Sequence, residues 1–137
     1  MSAFPVANFD PTGVAFGVAW SIQQKDKQVV RICLFGLGDC ESGPFADWRK
    51  DYNEVKSMKF SNNGELLMLA TSDNSIVLLD AFKGEELYKF TNFLNESSII
   101  ECSFTSDSRF ILSGSENGSV HIWSTSGETV ATLNSHV

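Results

Sequence analysis

Few side chains in this 137-residue chain are of a kind that does covalent chemistry, and their spacing works against it. There are two histidines, His121 and His136, and three cysteines, Cys33, Cys40 and Cys102. His121 falls in the middle of an alternating apolar segment, the position of an outward-facing strand residue or a hydrogen-bond network member rather than of a catalytic base. The cysteines form neither an even disulfide set nor the CxxC or Cys/His spacing that a zinc site requires, and they read as reduced thiols of an intracellular protein. Glu85-Glu86 and Asp107 offer carboxylates, but in turn-like stretches where solvation accounts for the charge. No glycine-rich phosphate loop, GxSxG or HExxH is present. These features predict a non-enzyme with no cofactor and no metal.

Composition narrows the partners. The formal charge is −7, which opposes phosphate neutralisation as a way of holding nucleic acid and suits a protein partner. The longest apolar run, Leu66 to Ala70, is far too short for a membrane span and reads as part of a soluble chain. Asn95-Glu96-Ser97 and Asn117-Gly118-Ser119 match the glycosylation acceptor pattern, but no basic and apolar leader precedes them, so they read as turn residues. With 42% hydrophobic residues and ten glycines, the chain has material for one modest all-β core.

The elements that carry these residues are strands. From Phe104 to Trp123, Ile111-Leu112 runs into Ser113-Gly114-Ser115. Asn117-Gly118 then supplies a tight hairpin turn, and Val120 and Ile122 alternate with Ser119 and His121. An ungapped copy lies upstream: Phe60-Ser61-Asn62-Asn63-Gly64 matches Phe104 to Ser108, and Ala70 to Leu79 matches Gly114 to Trp123. A looser copy opens the chain at Phe9-Asp10-Pro11-Thr12-Gly13. The starting phenylalanines are 51 and then 44 residues apart, the range of four-stranded propeller blades. Strands are predicted over Val14–Trp20, Val29–Phe35, Val55–Phe60, Leu66–Thr71, Ile76–Leu79, Glu86–Phe90, Ile99–Phe104, Phe110–Ser115, Ser119–Trp123 and Thr129–Leu133. Gln23 to Gln28 reads as a long exposed loop. Residues 36–53 read as an outer strand plus connection in which Trp48 packs, and Lys50 to Glu54 as a solvated charge run. The blades fall at 3–52, 53–95 and 96–137.

Ser113 to Gly118 followed by Val120-His121-Ile122-Trp123 resembles the end of a WD repeat, and Phe60 to Gly64 resembles its phenylalanine-serine-proline-aspartate-glycine turn. That resemblance implies a hydrogen-bonded set in which Ser113, Asn117 and Trp123 take three roles in the last unit. In the middle unit Asp73 is the turn acid, with Leu79 and the following Asp80 at the end of the matching strand. The set's histidine is missing, since Asp51 and Asn95 stand at its place, so apolar packing must carry more of the stability. Asp80-Ala81-Phe82-Lys83-Gly84 and Gly43-Pro44-Phe45 are similar to the propeller subunits of COMPASS-type histone lysine methyltransferases, which also join messenger RNA 3′-end processing and phosphatase complexes. The resemblance implies a nuclear, non-catalytic scaffold whose partners are subunits of such complexes, without direct contact to nucleic acid or membrane. Phe82 and Lys83 become candidate contact residues. The alternative is a generic WD-repeat adaptor or a ligand-binding propeller unrelated to chromatin. Three units leave open edges, so the expectation is a propeller fragment in an open arc that associates on its own.

Overall fold

The computed structural model describes residues 5–73, 75–91, 99–115 and 119–134. Among these described residues are twelve strands: β1 (Val6–Phe9), β2 (Ala15–Gln24), β3 (Lys27–Gly36), β4 (Ala46–Lys50), β5 (Val55–Phe60), β6 (Leu66–Thr71), β7 (Ser75–Asp80), β8 (Glu86–Thr91), β9 (Ile99–Phe104), β10 (Phe110–Ser115), β11 (Ser119–Ser124) and β12 (Thr129–Asn134). They form three antiparallel four-stranded meanders, β1–β4, β5–β8 and β9–β12, here called sheets A, B and C. A short 3-10 helix over Leu37–Ser42 joins β3 to β4.

One turn recurs between the first two strands of every sheet. In sheet B the Ser61 hydroxyl donates to Asn63 Oδ1 at 2.6 Å, and accepts from Leu66 N at 3.0 Å. In sheet C the Thr105 hydroxyl donates to Asp107 Oδ1 at 2.7 Å and accepts from Phe110 N at 3.1 Å. In sheet A the pair is inverted, with the Thr12 hydroxyl donating to Asp10, whose Oδ1 accepts from Ala15 N at 3.2 Å. Such short polar side chains stabilise turns by bonding the backbone a few residues on. Each turn closes through a positive-φ residue, Gly13, Gly64 or Ser108.

The sheets stack through their faces. Side chains alternate across a strand, so Gly17 and Ala19 of β2 face sheet B while Phe16 and Val18 face away. Ala19, Val30 and Ile32 pack with Val55, Met58, Leu67, Leu69, Val77 and Leu79 in one core. Met68, Ala70, Ile76, Leu78 and Phe90 pack with Cys102, Ile111 and Trp123 in the other. Sheet B is therefore covered on both sides. This is why β6 and β7 read as unbroken apolar runs rather than alternating ones, each buried Leu or Ile contributing about 2 kcal/mol. Gly17 is a space requirement, because a β-carbon there would lie 3.0 Å from Leu34 Cδ2 and 3.2 Å from Met58 Cε.

Three expectations are corrected. Gln23 to Gln28 is not a long loop: Ile22, Gln23 and Gln24 pair with Val29, Gln28 and Lys27 across a two-residue turn in which Lys25 takes φ 57. The strands simply run past the sheet into solvent, where polar side chains are tolerated. Within the supposed charge run, Tyr52 packs on the A–B core and its hydroxyl donates to Glu86 Oε1 at 2.7 Å. His121 faces sheet B, not solvent, and is buried against Trp123 with ring centroids 5.7 Å apart.

Candidate interaction surface

The turn at the β6–β7 junction carries the middle unit's polar set. The Thr71 hydroxyl donates to Asp73 Oδ1. Burial pushes the Asp73 carboxyl up, but hydrogen bonds from Thr71, Ser75 and Asn53, with the charge of Lys89, outweigh it and hold the group below the ordinary carboxylate range. Asn53, on the segment entering β5, supplies a hydrogen bond from the side of the missing histidine. Asp51, which stands at the counted position, pairs instead with Lys27 at 2.6 Å. The sequence signal for Asn53 was only its place in the entering loop two residues further on.

The other expected positions separate into core and turn. Leu79 is fully buried in the A–B core, and Trp123 stacks on Phe90 at 5.4 Å in the B–C core. Ser113 is buried, accepts from Cys102 Sγ at 3.7 Å and donates to the Gly114 carbonyl. Asn117 lies outside the described residues. Asp80 ends β7 and its Oδ1 accepts from the backbone N–H of Phe82 at 2.7 Å and of Lys83 at 3.0 Å. This holds the β7–β8 turn with Phe82 and Lys83 exposed on it.

The recurring turns also meet one another at one end of the stack. Asn62 Nδ2 donates to the Ser106 carbonyl at 3.0 Å and Asn63 N to Ser108 Oγ at 3.1 Å. Pro11, Lys59, Asn62 and Ser106 help line a cavity of about 410 Å³ between the first strands of the three sheets. Its polar lining is mostly held in turn hydrogen bonds, so it presents shape more than reactive groups.

Among the described residues nothing activates a nucleophile. Burial pushes the Cys33 thiol up and the neighbouring Asp47 charge adds to that, so it stays a neutral core thiol. Asp47 is engaged by Arg31 through two bonds of 2.9 and 2.6 Å, which hold its carboxyl below the ordinary range. Glu86 takes the Tyr52 hydroxyl. Among the described residues no cluster of His, Cys, Asp or Glu could hold a metal ion, and no helix is long and apolar enough to cross a membrane. What the molecule offers is surface: turns at two ends of the sheets, and the outward faces of sheets A and C.

Comparison with known proteins places this geometry. The family model described as the anaphase-promoting complex subunit 4 WD40 domain matches residues 18–93, and the WD domain, G-beta repeat model matches 84–124. WD repeat-containing protein 82 of Drosophila melanogaster is 35% identical over 98% of this chain and 42% of its own length. The COMPASS component SWD2 of Saccharomyces cerevisiae is 26% identical over 84% of this chain and 37% of its own length. The chain thus spans less than half the length of these curated relatives. Among solved structures, the Dos1 propeller superposes with a TM-score of 0.77 at 15% identity, covering 95% of this chain and 33% of that one. The WD40 repeats of RRP9 superpose at 0.74 and 22% identity, covering 96% and 38%. Three tandem four-stranded meanders, a shared turn in each and these matches make the chain a member of the WD40-repeat family, an all-β propeller arc of three open-ended sheets.

Proposed function

We propose that this chain serves as a non-catalytic scaffold of a nuclear, COMPASS-type histone lysine methyltransferase complex, with residues 3–52, 53–95 and 96–137 as its blades. The observation that carries this reading is the relation to SWD2, a COMPASS component, over 84% of this chain, and to WD repeat-containing protein 82 over 98% of it. The geometry is compatible with it, since turns and sheet faces are presented as surface. Ser113, Asn117, Trp123, Asp73, Leu79 and Asp80 then act structurally, holding blades in register. The partners are the other protein subunits of that complex, and those of RNA 3′-end processing or phosphatase assemblies, without direct nucleic acid or membrane contact.

Purification of an epitope-tagged chain from nuclei, followed by mass spectrometry, tests the proposal. Methyltransferase subunits at stoichiometric levels are expected, with cleavage-factor or phosphatase subunits in separate fractions. Recovery from the cytoplasm with an unrelated assembly would overturn it in favour of a generic adaptor. A small molecule retained in the cavity beside Lys59 and Asn62, with no co-purifying subunit, would favour a ligand-binding propeller.

A further inference from the structure

Phe82 occupies a turn position that does not call for it. The backbone bonds Leu37 N to the Val14 carbonyl, Ala81 N to the Glu65 carbonyl and Thr125 N to the Arg109 carbonyl recur in sheets A, B and C. The residues that follow, Gly38, Phe82 and Ser126, are therefore equivalent. Serine satisfies the turn in sheet C, and in sheet A the matching glycine lies in the 3-10 helix that joins β3 to β4, so the backbone at this point does not require an aromatic side chain. Nor does burial reward one, because Phe82 is 74% exposed. A second large aromatic stands nearby. Phe45, at the end of the β3–β4 connection and 65% exposed, lines with Phe82 a crevice of about 90 Å³ whose floor includes Leu34, Phe60 and Ala81. The crevice has room for one medium aliphatic side chain.

The backbone that carries each aromatic is held in advance of any ligand. Asp80 fixes the Phe82 turn through the two N–H bonds already described, and Phe45 N donates to the Leu34 carbonyl at 2.9 Å. Aromatic side chains on a fixed backbone have few rotatable bonds to order on binding and are common anchors in protein interfaces. The surrounding charge has one prevailing sign. Asp10 lines the crevice, Glu65 and Asp80 sit in the two turns that build it, and Glu85 follows; Lys83 is the one base in those turns.

We propose that this crevice, framed by Phe45 and Phe82, is a docking site for a basic peptide segment that inserts a single apolar side chain between the two rings. Asp10 in the lining, with the acidic residues that adjoin Gly64 and Ala81, supplies charge complementarity to such a segment. A second copy of this chain, at net charge −7, lacks that complementarity at this crevice. The proposal is independent of the assembly named above, because it needs only a basic partner.

The test uses the full chain and a fluorescein-labelled peptide, Lys-Arg-Leu-Lys-Arg-Gly, followed by fluorescence anisotropy. Controls are the same peptide with alanine for leucine and its counterpart with glutamates for the basic residues. Binding of the basic leucine peptide is expected, weakened at least about tenfold by Phe82→Ser, by Phe45→Ser or by the alanine control, and weakened again by added salt. Hydrogen exchange on the unsubstituted chain should show peptide-dependent protection over residues 43–46 and 80–83. No binding below about 1 mM, equal binding of the acidic peptide, indifference to both substitutions, or protection elsewhere overturns the proposal. So does a Phe82→Ser variant that changes the sedimentation coefficient without changing peptide binding, which would assign the crevice to a second copy.

Discussion

Asp73 is the residue whose removal separates a polar account of the middle blade from an apolar one. Its carboxylate collects bonds from Thr71, Ser75 and Asn53, and solvent exposure limits what they contribute. Asp73→Asn should cost about 1 kcal/mol at neutral pH, read by urea denaturation. Because the folded-state pKa is depressed, this stabilisation is present above the unfolded carboxylate's value of about 4 and disappears as pH falls through the folded one. The variant and the parent should accordingly converge in stability once pH has fallen below the depressed folded-state value. Tyr52 works in the opposite sense: burial, and then the bond to Glu86, push its phenol up. The folded chain keeps that proton while the unfolded chain releases it above about pH 10, so stability should fall in alkali. Tyr52→Phe should abolish that component and cost about 1 kcal/mol at neutral pH. Asp73 was legible from its match to the downstream copy. Asn53 and Tyr52 were not, since the flanking Lys50, Asp51 and Glu54 dominate the local pattern and hide a ring that packs inward and an exposed amide that reaches Asp73.

Neighbouring sheets are keyed together by a glycine and an aromatic ring. A β-carbon at Gly84, in the β7–β8 turn at φ 73, would lie 2.3 Å from Trp48 Cδ2 on β4. One at Gly127, in the β11–β12 turn at φ 103, would lie 2.4 Å from Tyr88 Cε1 on β8. Each turn thus receives a ring from the outer strand of the sheet before it. Gly84→Ala meets both a positive φ and a ring with nowhere to go, and is expected to destabilise by about 3 kcal/mol, read as a lower denaturation midpoint with an unchanged slope. Gly38, with open space around it and a negative φ, should tolerate alanine within about 0.5 kcal/mol. The strands themselves were legible, because tandem turns bound them and their residues either alternate at period two or, in β6 and β7, run unbroken and apolar. The extension of β2 and β3 to Gln24 and Lys27 was not, because beyond the sheet stack a solvent-washed hairpin and a loop share the same polar composition. The Gly84–Trp48 contact joins residues 36 apart and leaves no local trace.

At the scale of the molecule, sheet B explains what sheets A and C lack. Leu67 and Leu79 are fully buried on the face that meets sheet A. The register places Phe16 and Phe35 at the equivalent points of sheet A's outward face, where they stack on each other at 5.3 Å with Phe9 edge-on at 6.0 Å. On sheet C's outward face, Val120 and Ile122 pair with Leu133 and Ala131. The two outward faces thus repeat the two kinds of surface that already bind each other inside the stack, one trailing and one leading. A chain of this length studied alone should associate through them, trailing face to leading face, in a heterologous contact. Phe9 is 55% and Leu133 54% exposed, so lysine at both should leave the sheets folded. The double substitution moves the net charge from −7 to −5, which reduces mutual repulsion and would by itself favour association. A shift towards the 15.1 kDa monomer in light scattering would therefore report loss of apolar contact and nothing else. A parent chain that elutes as a clean monomer at high concentration would mean that the ring stacking and the Arg31 guanidinium over Trp20, 5.4 Å from its centroid, shield these faces well enough to need no partner.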